Sequence, residues 1–387
     1  MRDAVIVEAV RTPVGKRNGA LRDWHPVDLS GHVLQALAQR TGIDPALVDD
    51  VVWGCVMQTG EQAANVGRNA VLAAGWPESV PGTTVDRQCG SSQQALHFAA
   101  AGVISGQYDI AVAGGVECMT RVPMGSTAVG PGKPFGPKLL ARYDDVVFHQ
   151  GVGAEMSAQR WGLSRTQLDE FSLSSHAKAN EALKAGLFQP QYAPVPVTDG
   201  EGRPSLFDAD QGIRPGGTIE GLATLKPAFA EDGVVTAGNS SQISDGAAAL
   251  LVTTSERAAE LGLRPLVRVH TSVLAGDDPV IMLTAPIPAT EKALKRSGLS
   301  IGDFGAFEVN EAFASVPLAW LAETGADPAL LNVTGGAIAL GHPLGGSGAQ
   351  LMTRLVHHMV SGGVRYGLQT MCEGGGMANA TVLELVE

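Results

Sequence analysis

The chain has 387 residues, of which 44% are hydrophobic and 17% charged, with 49 glycines and a net charge of −12. So long and apolar a sequence exceeds one simple domain, and two or three structural units are expected. The acidic balance excludes non-specific DNA or RNA binding, because no basic excess exists to displace phosphate counterions; one anionic ligand held by local Arg, Lys or a helix N-terminus stays open.

In chain order, "AVIVEAV" (4–10) predicts a strand buried on both faces, and so do 50–57 and 109–117. Between the first two, "LSGHVLQALAQRTG" predicts a helix with Leu34 and Leu37 inward and Gly42 closing its C-terminus. After Cys89, residues Ala95, Leu96, Ala99 and Val103 recur at helical spacing, which places Cys89 at a strand-to-helix junction. Residues 121–142 are rich in Gly and Pro and carry Arg121, Lys133, Lys138 and Arg142 without an acid, so an excursion loop is expected. Ser164 and Gln167 form a capping box for a helix that turns Leu168, Phe171, Ala179, Ala182 and Leu183 to one side. A further Pro/Gly-rich stretch runs to about Pro227. "AALLVTTS", "LVRVHTSVLAG", "FGAFEVNEAF", "LLNVTGGAIAL" and "YGLQTMCEGG" are then read as strands with helices between them, and "ANATVLELVE" as a last strand. The expected architecture is two similar α/β halves with an inserted loop domain.

No window approaches 18 uninterrupted apolar residues, so a membrane span is not expected, and the N-terminal apolar run is too short for a signal peptide. The four cysteines, Cys55, Cys89, Cys118 and Cys372, lack CxxC spacing and any metal-ligand grouping with His. They read as reduced thiols, which points to a cytoplasmic protein.

Four places concentrate reactive groups in small-residue turns. A thiol at the N-terminus of a helix is favoured as thiolate by the dipole and free N–H groups, so Cys89 is expected to lose its proton about one pH unit or more below normal. Standing alone, Cys89 would sooner be read as a packed core residue. His342 lies in "GGAIALGHPLGGSGA", with glycines that let a ligand approach its imidazole, whereas His357 and His358 lie on the following helix as packing or surface groups. Cys372 precedes three glycines and is placed in a loop; an incidental Cys beside a turn is the plain alternative. Asn310 follows an apolar strand in "EVNEAFASVP", where a helix N-cap is equally open. Two thiols, an imidazole and a carboxamide suit carbon–carbon cleavage or formation beside a thioester: one Cys takes an acyl group, the His activates it, the second Cys moves a proton, and the Asn and backbone N–H groups stabilise an oxyanion. A protease needs only one thiol.

These motifs resemble the thiolase family. The resemblance runs from "VRTPVGK" to "CEGGGMANA" and includes "QCGSSQQA", "NEAFA", "GGAIALGHPLGGSGA" and "TAGNSSQISDGAAAL". It implies a five-layered α-β-α-β-α fold, with residues 1–120 and about 235–260 as one half, 121–234 as the loop domain and 261–387 as the other half. It further implies that Cys89 is the acyl-accepting nucleophile, His342 its base, Cys372 the acid/base at the α-carbon and Asn310 the holder of an oxyanion-hole water. The backbone N–H groups of Cys89 and Cys372 would form the other oxyanion hole. Ser241 matches a pantetheine contact, Arg214 a position near the adenine, Phe313 an aromatic beside the acyl pocket, and His149 and Gln150 the pocket wall. The implied reaction is reversible ping-pong transfer between acyl-CoA and CoA, without metal or organic cofactor, in a dimer or tetramer. Gln150 stands where short-chain biosynthetic members carry Met, Gly90–Ser91 departs from the common Cys-Ala/Ser-Ser-Gly, and Ala378 replaces a Gly. These departures favour a degradative enzyme for chains longer than acetoacetyl over a biosynthetic acetoacetyl-CoA thiolase. A ketoacyl synthase would normally carry His or Asn in place of Cys372, and a non-catalytic acyl-CoA-binding subunit would have lost one of Cys89, His342 and Cys372.

Overall fold

Local chemistry sets the element ends. Gly42 takes φ 67° and returns its N–H to Ala38, ending the first long helix, whose Leu34 and Leu37 are buried. Ser164 and Gln167 form the reciprocal capping box expected of them. The computed structural model describes residues 2–386. Its first half contains β1 (Val5–Arg11), β2 (Gly15–Lys16), α1 (Pro26–Thr41), β3 (Asp50–Gly54), α2 (Val66–Ala73), β4 (Gly82–Val85), α3 (Ser91–Ser105) and β5 (Ile110–Cys118). An excursion carries α4 (Pro137–Arg142), α5 (Gln150–Arg160), α6 (Arg165–Lys184), the hairpin β6 (Val195–Thr198) and β7 (Pro204–Phe207), and α7 (Ile219–Ala223). After β8 (Ser244–Thr253) and α8 (Ser255–Glu260), the second half contains β9 (Val267–Gly276), α9 (Pro286–Ser297), β10 (Ala306–Val309), α10 (Ser315–Thr324), α11 (Ala337–Leu340), α12 (Leu344–Gly362), β11 (Tyr366–Glu373) and β12 (Met377–Leu385).

The halves repeat one topology. In the first, β3 is parallel to β5, β5 antiparallel to β8, and β8 antiparallel to β1; in the second, β10, β11, β12 and β9 follow the same sequence of directions. The two sheets join edge to edge through a short β1–β9 pairing, Val5 with Arg268 and Ile6 with Val267. Apolar contacts divide into layers. One core joins α1 and α2 to the first sheet through Leu29, Val33, Val71, Trp53 and Leu251. A second puts α3 and α12 between the sheets, with Ala95, Leu96, Ala99, Val103, Met352 and Leu355 in one core with Ala113 and Leu250 of the first sheet and Val267 and Leu383 of the second. A third joins α9 and α10 to the outer face of the second sheet. The result is a five-layered mixed α/β fold.

The excursion is pinned by a buried ion pair. The Arg11 guanidinium holds Asp210 at 2.8 Å, stacks on Tyr192 at 4.6 Å, and lies on β1 beneath the chain returning from the hairpin. Removing one partner would leave an uncompensated buried charge at a cost of about 3–5 kcal/mol.

One expected strand is absent. "LLNVTGGAIAL" forms a turn and the short α11, because Asn332 and Gly335 both take positive φ (45° and 78°) and turn the backbone away. The Asn332 side chain takes the strand's place: it accepts from Val309 N and donates to Val309 O, both at 2.9 Å.

Candidate active site

Cys89 precedes α3, where Gln88 takes φ 48° and the Ser91 hydroxyl accepts from Arg87 N (2.9 Å) and donates to Gln88 O (2.6 Å). This tight elbow aims the thiol at a cavity of about 550 Å³ lined by Met57, Met124, Phe135, Phe148 and Met282. Cys372 is fully buried and is the penultimate residue of β11, so it is a strand residue and not the loop residue expected. Burial, and then the neighbouring Cys89, raise its thiol well above the ordinary range.

The expected low pKa of Cys89 is overturned. Burial, followed by the nearby Glu373 carboxyl, pushes the thiol up to about 12, and this outweighs the N-terminus of α3. The resting group is a neutral thiol, so its proton must leave as the sulfur attacks.

His342 reaches the site from the turn before α12. Gly341 takes φ 109°, and a Cβ there would lie 2.3 Å from Ser244 Oγ, so only glycine fits. Ser347 Oγ is 2.9 Å from Pro343 O and 2.6 Å from His342 Nδ1. The hydroxyl has one proton, which goes to the carbonyl, so His342 Nδ1–H donates to Ser347 and Nε2 keeps its lone pair. Asn310 Nδ2 lies 3.4 Å from that Nε2, while Asn310 Oδ1 is buried without a partner among the described residues. α10 begins only at Ser315, so Asn310 is not a helix cap. Burial lowers His342 to about 4, which keeps it neutral and basic at Nε2.

His342 lines a second cavity of about 230 Å³ with Ser241, Phe313, Phe229, His149 and Gln150, and the two cavities share Met124, His149, Gln150 and Leu344. Phe313 meets Phe229 edge-on at 5.8 Å, and Phe229 meets His149 at 5.5 Å. The loops are tied together: Ser241 N donates to Ala312 O (2.9 Å) and His342 N to Gln242 O (3.1 Å). The structure thus brings Cys89, His149 and Gln150 onto the first cavity and His342, Ser241, Phe313, His149 and Gln150 onto the second, with Asn310 against His342 and Cys372 buried on β11. Arg214 stands on a different recess of about 150 Å³ with Leu173, His176 and Leu222. Sequence reasoning missed Ser347, although it lies five residues after His342 inside the same Gly-rich motif. It also missed Met57 and Met282, which have no local signal because distant parts of the chain carry them. Among the described residues no group of three or more His, Cys, Asp or Glu is placed to hold a metal ion, and no helix is long and apolar enough to cross a membrane.

With this geometry in place, the relatives of the chain become informative. Family models for the thiolase N-terminal domain and the thiolase C-terminal domain match residues 4–256 and 263–385. The chain is 48% identical to the steroid 3-ketoacyl-CoA thiolase FadA6 of Mycobacterium tuberculosis over 99% of its own length and 94% of the relative's. It is 46% identical to a 3-ketoacyl-CoA thiolase of Escherichia coli and 45% identical to one of Pectobacterium carotovorum, each over 100% of both chains. The chain belongs to the thiolase family and is an acyltransferase.

Proposed function

We propose that the chain is a degradative thiolase that cleaves a 3-ketoacyl-CoA with CoA into acetyl-CoA and a shortened acyl-CoA. Cys89 Sγ attacks the 3-keto carbon as its proton passes to His342 Nε2. The bond between the α- and β-carbons breaks, the acetyl-CoA enolate takes a proton from Cys372, and the acyl group stays on Cys89. A CoA thiol then attacks that thioester, giving up its proton to Cys372, and the imidazolium returns its own to Cys89. Asn310, through its unpartnered oxygen, holds a water that stabilises the enolate oxygen beside His342. Backbone N–H groups at Cys89 and Cys372 serve the tetrahedral intermediate. Ser241 contacts pantetheine, Phe313, His149 and Gln150 wall the acyl site, and Arg214 lies towards the adenine. CoA is a substrate, and no further cofactor takes part.

One observation carries this reading: the Cys89 thiol opens on a Met- and Phe-lined cavity of about 550 Å³. That falls in the range of about 300–1,000 Å³ that encloses a drug-sized ligand and far exceeds what a four-carbon acyl unit needs. The name of the mycobacterial relative points the same way, to a bulky acyl group. The proposed halves, 1–120 with 235–260 and 261–387 around the loop domain 121–234, are supported by the pairing of β8 with β1 and β5. A cytoplasmic dimer or tetramer completes the proposal.

Thiolysis of a 3-ketoacyl-CoA series from four carbons upward, with a steroid side-chain thioester included, tests it. Cys89→Ala is expected to abolish thiolysis, and Cys372→Ala to block cleavage while still forming an acyl-enzyme from acyl-CoA. Normal turnover by Cys89→Ala would refute the mechanism, and reaction with acetoacetyl-CoA alone would replace the degradative reading by the biosynthetic one.

A further inference from the structure

Directly beneath the nucleophile lies a carboxyl group that the reaction just described does not use. Glu373 ends β11, one residue after Cys372, and is fully buried. No side chain among the described residues hydrogen-bonds either of its carboxyl oxygens, which only the Asn379 backbone N–H approaches closely enough to favour the charged form, and neither polar atom of the Asn379 amide, itself fully buried on β12, has a partner. Both side chains converge on Gly90. A Cβ at Gly90 would lie 2.0 Å from Glu373 Oε1 and 2.2 Å from Asn379 Oδ1, so the position after the nucleophile can hold no side chain while they are there.

We propose that Glu373 is a positioning residue for the thiol pair: a carboxyl seated in the space left by Gly90 whose charge state sets how readily Cys89 and Cys372 release their protons. The inference rests on the reading of those two thiols as the reacting groups. Few other charges face the carboxyl. The loop before α3 brings Asp86, Arg87 and Cys89, and β11 brings Cys372. From β12 come the neutral Asn379 and Met377, and the first turn of α3 (Ser91, Ser92, Gln93) carries no charge. Asp277 and Asp278 approach the adjoining Gly376 turn through their backbone oxygens. Arg87 Nε is itself unpartnered, so its charge acts on Glu373 across space. Burial dominates and pushes the Glu373 carboxyl up to about 8. Around neutral pH the group is therefore uncharged and the thiols ionise more freely. Once it ionises, an anion beside both sulfurs opposes each thiolate.

The test alkylates the whole enzyme with iodoacetamide across a pH series and follows Cys89 by peptide mapping, alongside thiolysis kinetics. In the wild type, the logarithm of the Cys89 rate is expected to rise with pH, flatten over roughly one unit around pH 8 as the carboxyl ionises, and rise again. Glu373→Gln should give a straight line, with alkylation at least about threefold faster at pH 9. It should also move the alkaline fall of kcat upward by about one pH unit with little change in KM. Glu373→Asp, which retains a titrating carboxyl, should restore the flattening. A Glu373→Gln profile that superimposes on the wild type, or lies below it by one factor at every pH, would reduce Glu373 to a packing group. If Glu373→Gln does not fold, a straight wild-type profile alone overturns the proposal. Labelling at Cys89 without dependence on Glu373 sinks only this inference; full thiolysis by Cys89→Ala sinks the mechanism on which it rests.

Discussion

At the scale of single residues, the site is built to keep protons on its thiols and off its imidazole. Cys89 and Cys372 are raised by burial, and His342 is lowered by it. The proposed mechanism then depends on moving a proton from Cys89 to His342 during attack, and on Nε2 being the bare nitrogen. Ser347 fixes that tautomer by taking the Nδ1 proton at 2.6 Å. Ser347→Ala removes the acceptor and lets the other tautomer compete, which aims an N–H where a lone pair is needed. The expected result is a kcat lower by about ten- to a hundredfold with KM within about twofold, part of the 10²–10⁴ that a positioned base contributes. Steady-state thiolysis at pH 7–8 measures it, and Ser347→Thr, which keeps the hydroxyl, should recover most of the loss. An unchanged kcat in Ser347→Ala would show that Asn310 alone orients the ring.

At the scale of elements, residues whose side chains replace backbone are the ones that decide. Asn332 is 2% exposed, bonds both polar groups of Val309, and donates to Glu311 Oε1 at 2.9 Å. Glu311 in turn accepts from Ser175 Oγ at 2.7 Å and from Ile338 N at 3.2 Å, so one amide joins β10, α6 and α11 beneath the catalytic turn. Asn332→Ala leaves the N–H and C=O of Val309 unpaired in a dry interior and weakens the hold on Glu311. A loss of about 3 kcal/mol is expected, read as a lower denaturant midpoint at unchanged slope. Asn332→Asp should not rescue it, because it presents a second carboxylate to Glu311. This element also marks the limit of what the sequence made legible. Apolar periodicity placed β1, β5, β9, β11, β12 and the central helices, because each buries a face or both faces in a layer. The run "LLNVTGGAIAL" is equally apolar, yet a positive φ at Asn332 and a side chain standing in for a strand are invisible to a hydropathy pattern. Cys89, His342 and Cys372 stand out in the sequence because each lies beside glycines in a local motif, and Asn310 because it follows an apolar strand. The cavity in front of Cys89 is not legible there, because Met57, Met124 and Met282 meet only through the fold, and the raised Cys89 pKa is not either, because burial is a tertiary property.

At the scale of the whole molecule, the halves are joined through the polar interior of the central layer. His97 of α3 and Gln93 one turn earlier both reach Thr381 Oγ1 of β12, at 2.7 and 2.8 Å, and Ala349 N of α12 donates to Ser92 Oγ at 2.8 Å. Burial lowers His97 to about 3, so this link between the halves holds a neutral imidazole. A base depressed in the folded state adds stability that is fully present above its unfolded pKa, about 6.5, and is lost as pH falls towards the folded value. For His97 that window runs from about 6.5 down to about 3, and the loss reaches about 2 kcal/mol by pH 5. Glu117, Glu311 and Glu373 act oppositely: their raised carboxyls contribute stability below their unfolded pKa and lose it as pH rises through the folded one. The wild-type slope is therefore a mixture, and the variant His97→Gln isolates one component. Gln has no proton to gain, and its amide can still meet Thr381. Thermal or urea unfolding of both proteins at pH 7.5 and pH 5 should show His97→Gln no more stable than the wild type at the higher pH. At pH 5 it should have gained about 2 kcal/mol relative to the wild type. Equal losses in the two proteins on acidification would mean that His97 takes up its proton inside the fold, and that the layer between the halves is open to water.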